Sequence, residues 1–127
     1  MTSPFERARS LVGIPFRPQG RSREHGLDCI GLTLEAFQVR HLKLPAYRLT
    51  DGSWDEIEAV LKGSFDRVPD TVSEDDDLVI SRMQRCFHFG VLGHASLIHA
   101  DMRIGRVVET PLRALSEDTR YYRQQKD

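Results

Sequence analysis

The stretch that decides the fold is GLDCIGL at positions 26–32, where a polar, glycine-punctuated loop meets an apolar run. Asp28 is a good helix N-cap, so a helix is predicted from Cys29 to about Arg40. Apolar residues surround most of this helix, which predicts that it is the central buried helix. Gly31 in its first turn would let another backbone segment or a ligand approach closely.

Cys29 has two interpretations at this position. A thiol in the first helical turn lies at the positive end of the helix dipole, which stabilises the thiolate and lowers the pKa. Cys29 would then be the fast-reacting thiol of the chain. The alternative is a buried cysteine at the start of a core helix, which is common in proteins.

Composition indicates one ordinary domain over residues 1–127, with 39% hydrophobic residues, 29% charged residues and a formal net charge of −1. This near-neutral balance predicts neither a nucleic-acid nor a membrane partner. Charged residues and Pro4 interrupt the first residues, so no signal peptide is expected, and synthesis is predicted in the cytoplasm. Two cysteines give no disulfide framework, although one Cys29–Cys86 bond remains an alternative.

The first half of the chain carries the helical signals. Capping boxes open helices at Ser3 and Ser53, and these helices are expected to end at Gly13 and Gly63. Residues 17–27 are predicted to form a surface loop, and residues 41–52 an irregular segment. Residues 65–77 are predicted to be a linker that ends in an acidic, solvated turn at 74–77.

The second half carries strand signals. Four short runs, at 78–80, 87–92, 95–100 and 106–109, predict an antiparallel meander, and residues near Tyr121 add one edge strand. Helices followed by strands indicate an α+β domain, with the Cys29 helix packed on the sheet.

Two histidines are predicted to meet on this sheet. Gly93 and His94 suit a two-residue hairpin turn, which would place His88 directly opposite His99 on the Cys29 side of the sheet. A cysteine at the end of a helix packed on the sheet could reach them. This is the arrangement of a Cys-His pair oriented by a third group, with His88 as base and His99 fixing its ring.

Two alternatives compete with this interpretation. The histidines could be two half-exposed side chains near an unrelated buried thiol. Four residues, Cys29, Cys86, His88 and His99, could also bind zinc, but the Cys-x-His spacing is not typical of structural zinc sites. We therefore predict no metal and no cofactor.

Four motifs in order resemble those of NlpC-type cell-wall peptidases, papain-like cysteine enzymes of bacteria and their phages. They are Asp28-Cys29-x-Gly31-Leu32, Asp77-Leu78-Val79, His88-Phe89-Gly90-Val91 and Ile98-His99-Ala100, preceded by Gly13-Ile14-Pro15-Phe16. The resemblance implies a papain-like fold. It also implies Cys29 as nucleophile, His88 as general base and His99 as the orienting residue.

The resemblance further implies cleavage of peptidoglycan stem peptides, often next to D-glutamate. The compact form is similar to the phage-tail and gene-transfer-agent branch. It implies carriage in a phage-like particle, contact with tail hub or tip proteins, and action in the periplasm. The alternatives are a structural tail component with little activity and a secreted thiol amidase effector.

Expected substrate contacts are Asp28, Phe16, Arg21 and Arg23, although solvated loop arginines are the simpler interpretation of the last two. Three residues depart from the family pattern. Phe16 stands where the family commonly has tyrosine, and Ile30 where it often has serine. Asp76 stands where the family usually has a glycine, directly before the Asp77-Leu78-Val79 motif.

Overall fold

This computed structural model describes residues 2–44, 53–83, 86–112, 115 and 118–126. Within them the chain forms a six-stranded antiparallel sheet and three α-helices. The helices are α1 (Pro4–Arg9), α2 (Cys29–Phe37) and α3 (Trp54–Leu61). A small ribbon joins β1 (Arg21–Ser22) to β2 (Gly26–Leu27). The large sheet contains β3 (Phe65–Val68), β4 (Leu78–Met83), β5 (Cys86–Leu92), β6 (Ser96–Asp101), β7 (Arg106–Pro111) and β8 (Thr119–Gln124).

The order of the large sheet is β3-β8-β4-β5-β6-β7. The predicted meander β4-β5-β6-β7 is confirmed, and the α+β class with it. The C-terminal strand is not an edge strand, because β8 pairs with both β3 and β4. The predicted linker contains the true edge strand β3, in which only Phe65 is buried. A strand with one buried residue lacks the alternation of apolar and polar side chains by which a strand is recognised from sequence.

Helix α2 is the central helix, as predicted. All of its residues except Glu35 are buried, and it packs on β5. It begins at Cys29 but ends at Phe37, before the predicted end, because Gln38 adopts a left-handed conformation with φ of 56°. Its Gly31 is required, since a Cβ there would collide with the carbonyl oxygen of Gly20.

Of the two predicted capping boxes, only the one at Ser3 forms its side-chain capping hydrogen bond. The Ser3 hydroxyl accepts a hydrogen bond from the Glu6 amide at 3.2 Å, as expected. Helix α1 nevertheless ends at Arg9, four residues before the glycine predicted to stop it. Ser53 precedes α3, but its side chain makes no capping hydrogen bond. The irregular segment predicted at 41–52 lies mostly outside the described residues.

The acidic run is only partly the solvated turn that was predicted. Glu74 and Asp75 are exposed, but Asp77 is buried and accepts two hydrogen bonds at 3.0 Å from the Arg123 guanidinium. Asp76 accepts a hydrogen bond from the Phe5 amide at 2.8 Å. These carboxylates therefore join the turn to β8 and α1. Among the described residues, no helix is long and apolar enough to cross a membrane.

Candidate functional site

The register of β5 and β6 decides where the two histidines lie. Leu92 pairs with Leu97, and Gly90 pairs with His99. Four residues therefore separate the first pair, rather than the two predicted, and the register moves by two residues. Side chains alternate with a period of two, so this shift keeps each one on its face. His88 and His99 do share a face, but their predicted direct opposition is wrong, because they are diagonal neighbours. The shared face lies opposite to α2, rather than on the Cys29 side of the sheet that was expected.

The diagonal arrangement still brings the two imidazoles into contact. His88 Nε2 lies 3.0 Å from His99 Nδ1, and the rings meet edge to face at 80°. His99 Nε2 lies 3.1 Å from the hydroxyl of Thr110 on β7. The remaining nitrogen, His88 Nδ1, makes no hydrogen bond within the described part of the chain. Every fully buried polar side-chain atom in the described residues has a hydrogen-bond partner. Because His88 Nδ1 has none there, it is not fully buried and solvent reaches it.

Burial keeps both imidazoles neutral at neutral pH. Burial and, to a smaller extent, the neighbouring His99 lower the pKa of His88 to about 4, while Asp101 opposes the shift. The pKa of His99 is also lowered by burial, again against Asp101. A neutral imidazole with one nitrogen open to solvent is the form that can accept a proton.

A pocket of about 650 Å³ lies over these histidines, on the sheet face opposite to α2. Leu97, Met102 and Arg103 line it, together with Cys86 at the start of β5. Leu97 fills the space beside Gly90, since its Cδ1 would lie 2.9 Å from a Cβ added there.

The sheet opens between β5 and β6 at the level of the histidines. The paired residues stop at Gly90 and His99, although β5 extends to Cys86 and β6 to Asp101. Part of the β5 edge is therefore not covered by its neighbouring strand, and the N-terminus of α2 comes to this edge.

The sulfur of Cys29 occupies the uncovered edge. Its Sγ lies 4.0 Å from the carbonyl oxygen of Phe87 and also faces the amide of Phe89. These two residues flank His88, so the helix positions the thiol beside the backbone of the proposed base. Within the described residues, no hydrogen bond joins this sulfur to an imidazole.

The thiol of Cys29 is not activated in this conformation. Only 3% of the residue is exposed, and burial raises its pKa to about 12, although the Phe89 amide acts in the opposite direction. The negative charge of Asp28 contributes to the raised pKa. The predicted lowering by the helix dipole is therefore wrong for this conformation, because desolvation outweighs it.

The alternative Cys29–Cys86 disulfide is not formed in the structure. The zinc alternative also lacks support. Across the described residues, no three His, Cys, Asp or Glu side chains converge as metal ligands would.

The carboxylate of Asp28 caps α2 and is bonded on both oxygens within the protein. It is fully buried and accepts hydrogen bonds from the amides of Gly31 at 2.7 Å and Gln19 at 2.9 Å. Its Oδ1 also pairs with Arg21 Nη1 at 2.7 Å. The carboxylate is therefore already bonded within the protein, and the substrate contact at Asp28 stays a prediction. Arg21 remains 41% exposed beside it.

The other two predicted substrate contacts lie apart from the histidine pocket. Arg23 donates hydrogen bonds to the carbonyl oxygen and hydroxyl of Ser10, in a separate basic cavity beside α1. Phe16 is half-buried against the core, and its amide donates to Gly105 at 2.9 Å. Neither residue lines the histidine pocket.

Three polar residues near the histidines were not identified from sequence. Asp101 could have been, because it follows His99 by two positions and so shares its face. Thr110 and Arg103 could not, because their positions depend on the β6–β7 register and on the turn that follows Asp101.

Comparison with known proteins identifies the fold. No protein-family model matches the chain, and no curated protein does. Solved structures match over nearly its whole length. The peptidoglycan hydrolase RipB of Mycobacterium tuberculosis has a TM-score of 0.63 and 21% identity over 94% of this chain. This chain spans 62% of the RipB chain.

Two further neighbours cover more of their own chains. RipD of M. tuberculosis, described as a non-catalytic NlpC/p60 domain protein adapted to peptidoglycan binding, has a TM-score of 0.60 and 19% identity over 94% of this chain and 92% of its own. The P60 domain of an M. avium subspecies paratuberculosis antigen has a TM-score of 0.63 and 18% identity. The match covers 91% of this chain and 86% of the antigen domain. The chain therefore has the fold of NlpC/p60 domains.

Proposed function

We propose that this chain is a cysteine peptidase that cleaves the stem peptides of peptidoglycan. Cys29 is the nucleophile, His88 the general base and His99 the residue that orients the base. The observation that carries the proposal is the contact of His88 Nε2 with His99 Nδ1, beside the edge that holds the Cys29 sulfur. That contact leaves His88 Nδ1 as the nitrogen available to the thiol.

The reaction is an acyl transfer. Cys29 gives its proton to His88 Nδ1, and the sulfur attacks the carbonyl carbon of an amide next to D-glutamate. Backbone amides at the start of α2 stabilise the oxyanion. His88 then protonates the leaving amine, and a water molecule deprotonated by His88 hydrolyses the thioester.

The resting thiol and imidazole are both neutral, because the pKa of Cys29 is raised and that of His88 lowered. An ion pair therefore does not form before substrate arrives. Substrate binding must therefore expose Cys29, because a residue that is only 3% exposed cannot bring its sulfur to a substrate carbonyl.

The burial of Cys29 also favours a second candidate function, which is peptidoglycan binding without turnover. RipD, a protein of the same fold, is described as non-catalytic and adapted to peptidoglycan binding. A structural tail component that retains the fold belongs to the same class. The two candidates differ in whether Cys29 forms a thioester.

We assign delivery to a phage-like tail, with tail hub or tip proteins as partners. This route rests on the resemblance of the motifs to the compact phage branch, and none of the three neighbours above is a tail protein. Mass spectrometry of purified particles would detect the chain. Its presence only in a secreted fraction would instead support a secreted thiol amidase effector.

Digestion of purified peptidoglycan tests the activity. The wild-type protein should release stem-peptide fragments identifiable by mass, and Cys29→Ala should release none. Cys86→Ala is the matched control, because it removes the other thiol of the chain and should keep the activity. Binding of peptidoglycan without fragments from the wild-type protein would support the non-catalytic function instead.

A further inference from the structure

Thr110 ends a chain of hydrogen bonds that begins at the open nitrogen of His88. Its hydroxyl lies 3.1 Å from His99 Nε2, and His99 Nδ1 lies 3.0 Å from His88 Nε2. Each neutral imidazole carries one proton, and each contact holds one hydrogen. The direction of the whole chain is therefore fixed by whether the hydroxyl donates or accepts.

The two directions have different consequences for His88. If Thr110 donates, His99 carries its proton on Nδ1 and gives it to His88 Nε2. His88 must then carry its own proton on Nδ1, the only nitrogen left to face the thiol. A protonated Nδ1 of a neutral ring cannot accept a proton from Cys29.

If Thr110 accepts, the sequence of donors reverses. His99 carries its proton on Nε2, and His88 donates from Nε2 to His99 Nδ1. His88 Nδ1 is then an unprotonated acceptor that solvent reaches and that is free to take a proton from Cys29. Only this direction is compatible with general-base chemistry at His88.

The position of Thr110 suits this role. It pairs with Leu97 across the β6–β7 ladder, while His99 pairs with Val108, so the hydroxyl lies diagonally next to the His99 ring. The residue is half-buried. The hydroxyl could satisfy the ring in either direction, because it holds both a donor and an acceptor. The need for an unprotonated Nδ1 on His88 is what selects the direction in which Thr110 accepts.

We propose that Thr110 is a positioning residue, whose hydroxyl accepts a hydrogen bond from His99 Nε2 and thereby holds His88 in its base-competent tautomer. The inference rests on the proposed function for its effect on turnover. The tautomer itself is a property of the resting protein and does not depend on the substrate.

Nitrogen NMR of ¹⁵N-histidine-labelled protein tests the tautomer directly. In the wild-type protein both rings should carry the proton on Nε2, with the signals assigned from His88→Gln and His99→Gln variants. Thr110→Val keeps the shape of the side chain and removes the acceptor. It should move the His99 proton to Nδ1, while Thr110→Ser should restore the wild-type pattern.

Turnover of stem peptides provides the second measurement. Thr110→Val should lower kcat about tenfold or more with little change in KM, because the loss of one buried hydrogen bond costs roughly 1–3 kcal/mol. Thr110→Ser should keep most of the rate. Circular dichroism would show that the valine variant retains the fold.

The outcomes separate the two claims. A wild-type His99 protonated on Nδ1, or a valine variant with the wild-type tautomer, would overturn the role of Thr110. A wild-type protein without turnover but with the Nε2 tautomer would overturn the proposed function and leave the positioning role standing.

Discussion

The two thiols of the chain differ in how much of each meets solvent. Cys29 is 3% exposed and its pKa is raised, whereas Cys86 is half-buried and lines the histidine pocket. Iodoacetamide near neutral pH should therefore alkylate Cys86 before Cys29 when no substrate is present. A time course by peptide mass spectrometry measures both rates.

The opposite order would be informative. Faster labelling of Cys29 would mean that the protein opens frequently around the sulfur and that the exposed thiol is activated. The Cys86→Ala variant serves as control, since it shows the rate of Cys29 alone.

The lowered pKa of His88 predicts acid sensitivity. The imidazole has a pKa of about 4 in the folded protein, but near 6.5 in the unfolded chain. The unfolded chain therefore binds more protons between these values, and the free energy of unfolding should fall as pH decreases from about 6.5 to 4. The slope from this group is at most about 1.4 kcal/mol per pH unit.

Urea unfolding at several pH values measures this slope. His88→Gln should flatten it, whereas His94→Gln should not, because the side chain of His94 is exposed. An unchanged slope in His88→Gln would show that other groups cause the acid sensitivity.

At the scale of the element, the two long helices differ at their N-caps. The Asp28 carboxylate satisfies two buried amides and pairs with Arg21, whereas the Ser53 side chain makes no capping bond. Asp28→Ala should lower the free energy of unfolding by at least about 2 kcal/mol. Ser53→Ala should change it by less than about 0.5 kcal/mol.

Thermal and urea unfolding of the two variants measure the difference. Equal effects would mean that the capping bonds in the structure do not determine the stability of α2. Asp28→Asn keeps an acceptor for Gly31 but loses the charge that pairs with Arg21, so an intermediate stability is expected.

The start of α2 and the meander could be predicted because their signals are local. An N-cap, a run of apolar residues and short strands separated by turns are all visible within about ten residues. The register of the β5–β6 hairpin could not be predicted as reliably. Gly93 and His94 suit a two-residue turn, but the Gly93 amide donates to the carbonyl oxygen of Ser96 at 2.8 Å. This bond encloses His94 and Ala95, so the turn lies one residue further along the chain than predicted.

The pKa of the Cys29 thiol could not be predicted from its position at the start of the helix. The helix dipole lowers a thiol pKa, whereas burial raises it, and only the packing of α2 on the split between β5 and β6 decides which effect is larger. The histidine pair survived the register error because a shift of two residues preserves the face.

At the scale of the whole molecule, Arg123 on β8 joins the sheet to the acidic turn before β4. It makes two bonds to the buried Asp77 and a third to the carbonyl oxygen of Val72 at 2.9 Å. Arg123→Gln leaves the Asp77 carboxylate buried without its cation. The variant should lower Tm by roughly 5 °C or more.

Arg67→Gln is the matched control, because Arg67 is more exposed and its pair with Glu58 is longer, at 3.9 Å. Its Tm should change by no more than about 1 °C. Differential scanning calorimetry compares the two variants, and equal shifts would show that the buried pair contributes no more than a surface pair.

The position of β8 also has a consequence for synthesis on the ribosome. This strand pairs with β3 and β4, which are translated well before it. A nascent chain that lacks residues 119–124 would leave one edge of β4 and all of β3 without their partner. The nascent chain should therefore stay protease-sensitive until β8 leaves the exit tunnel, and chaperones that bind exposed strands would have their longest access at that stage.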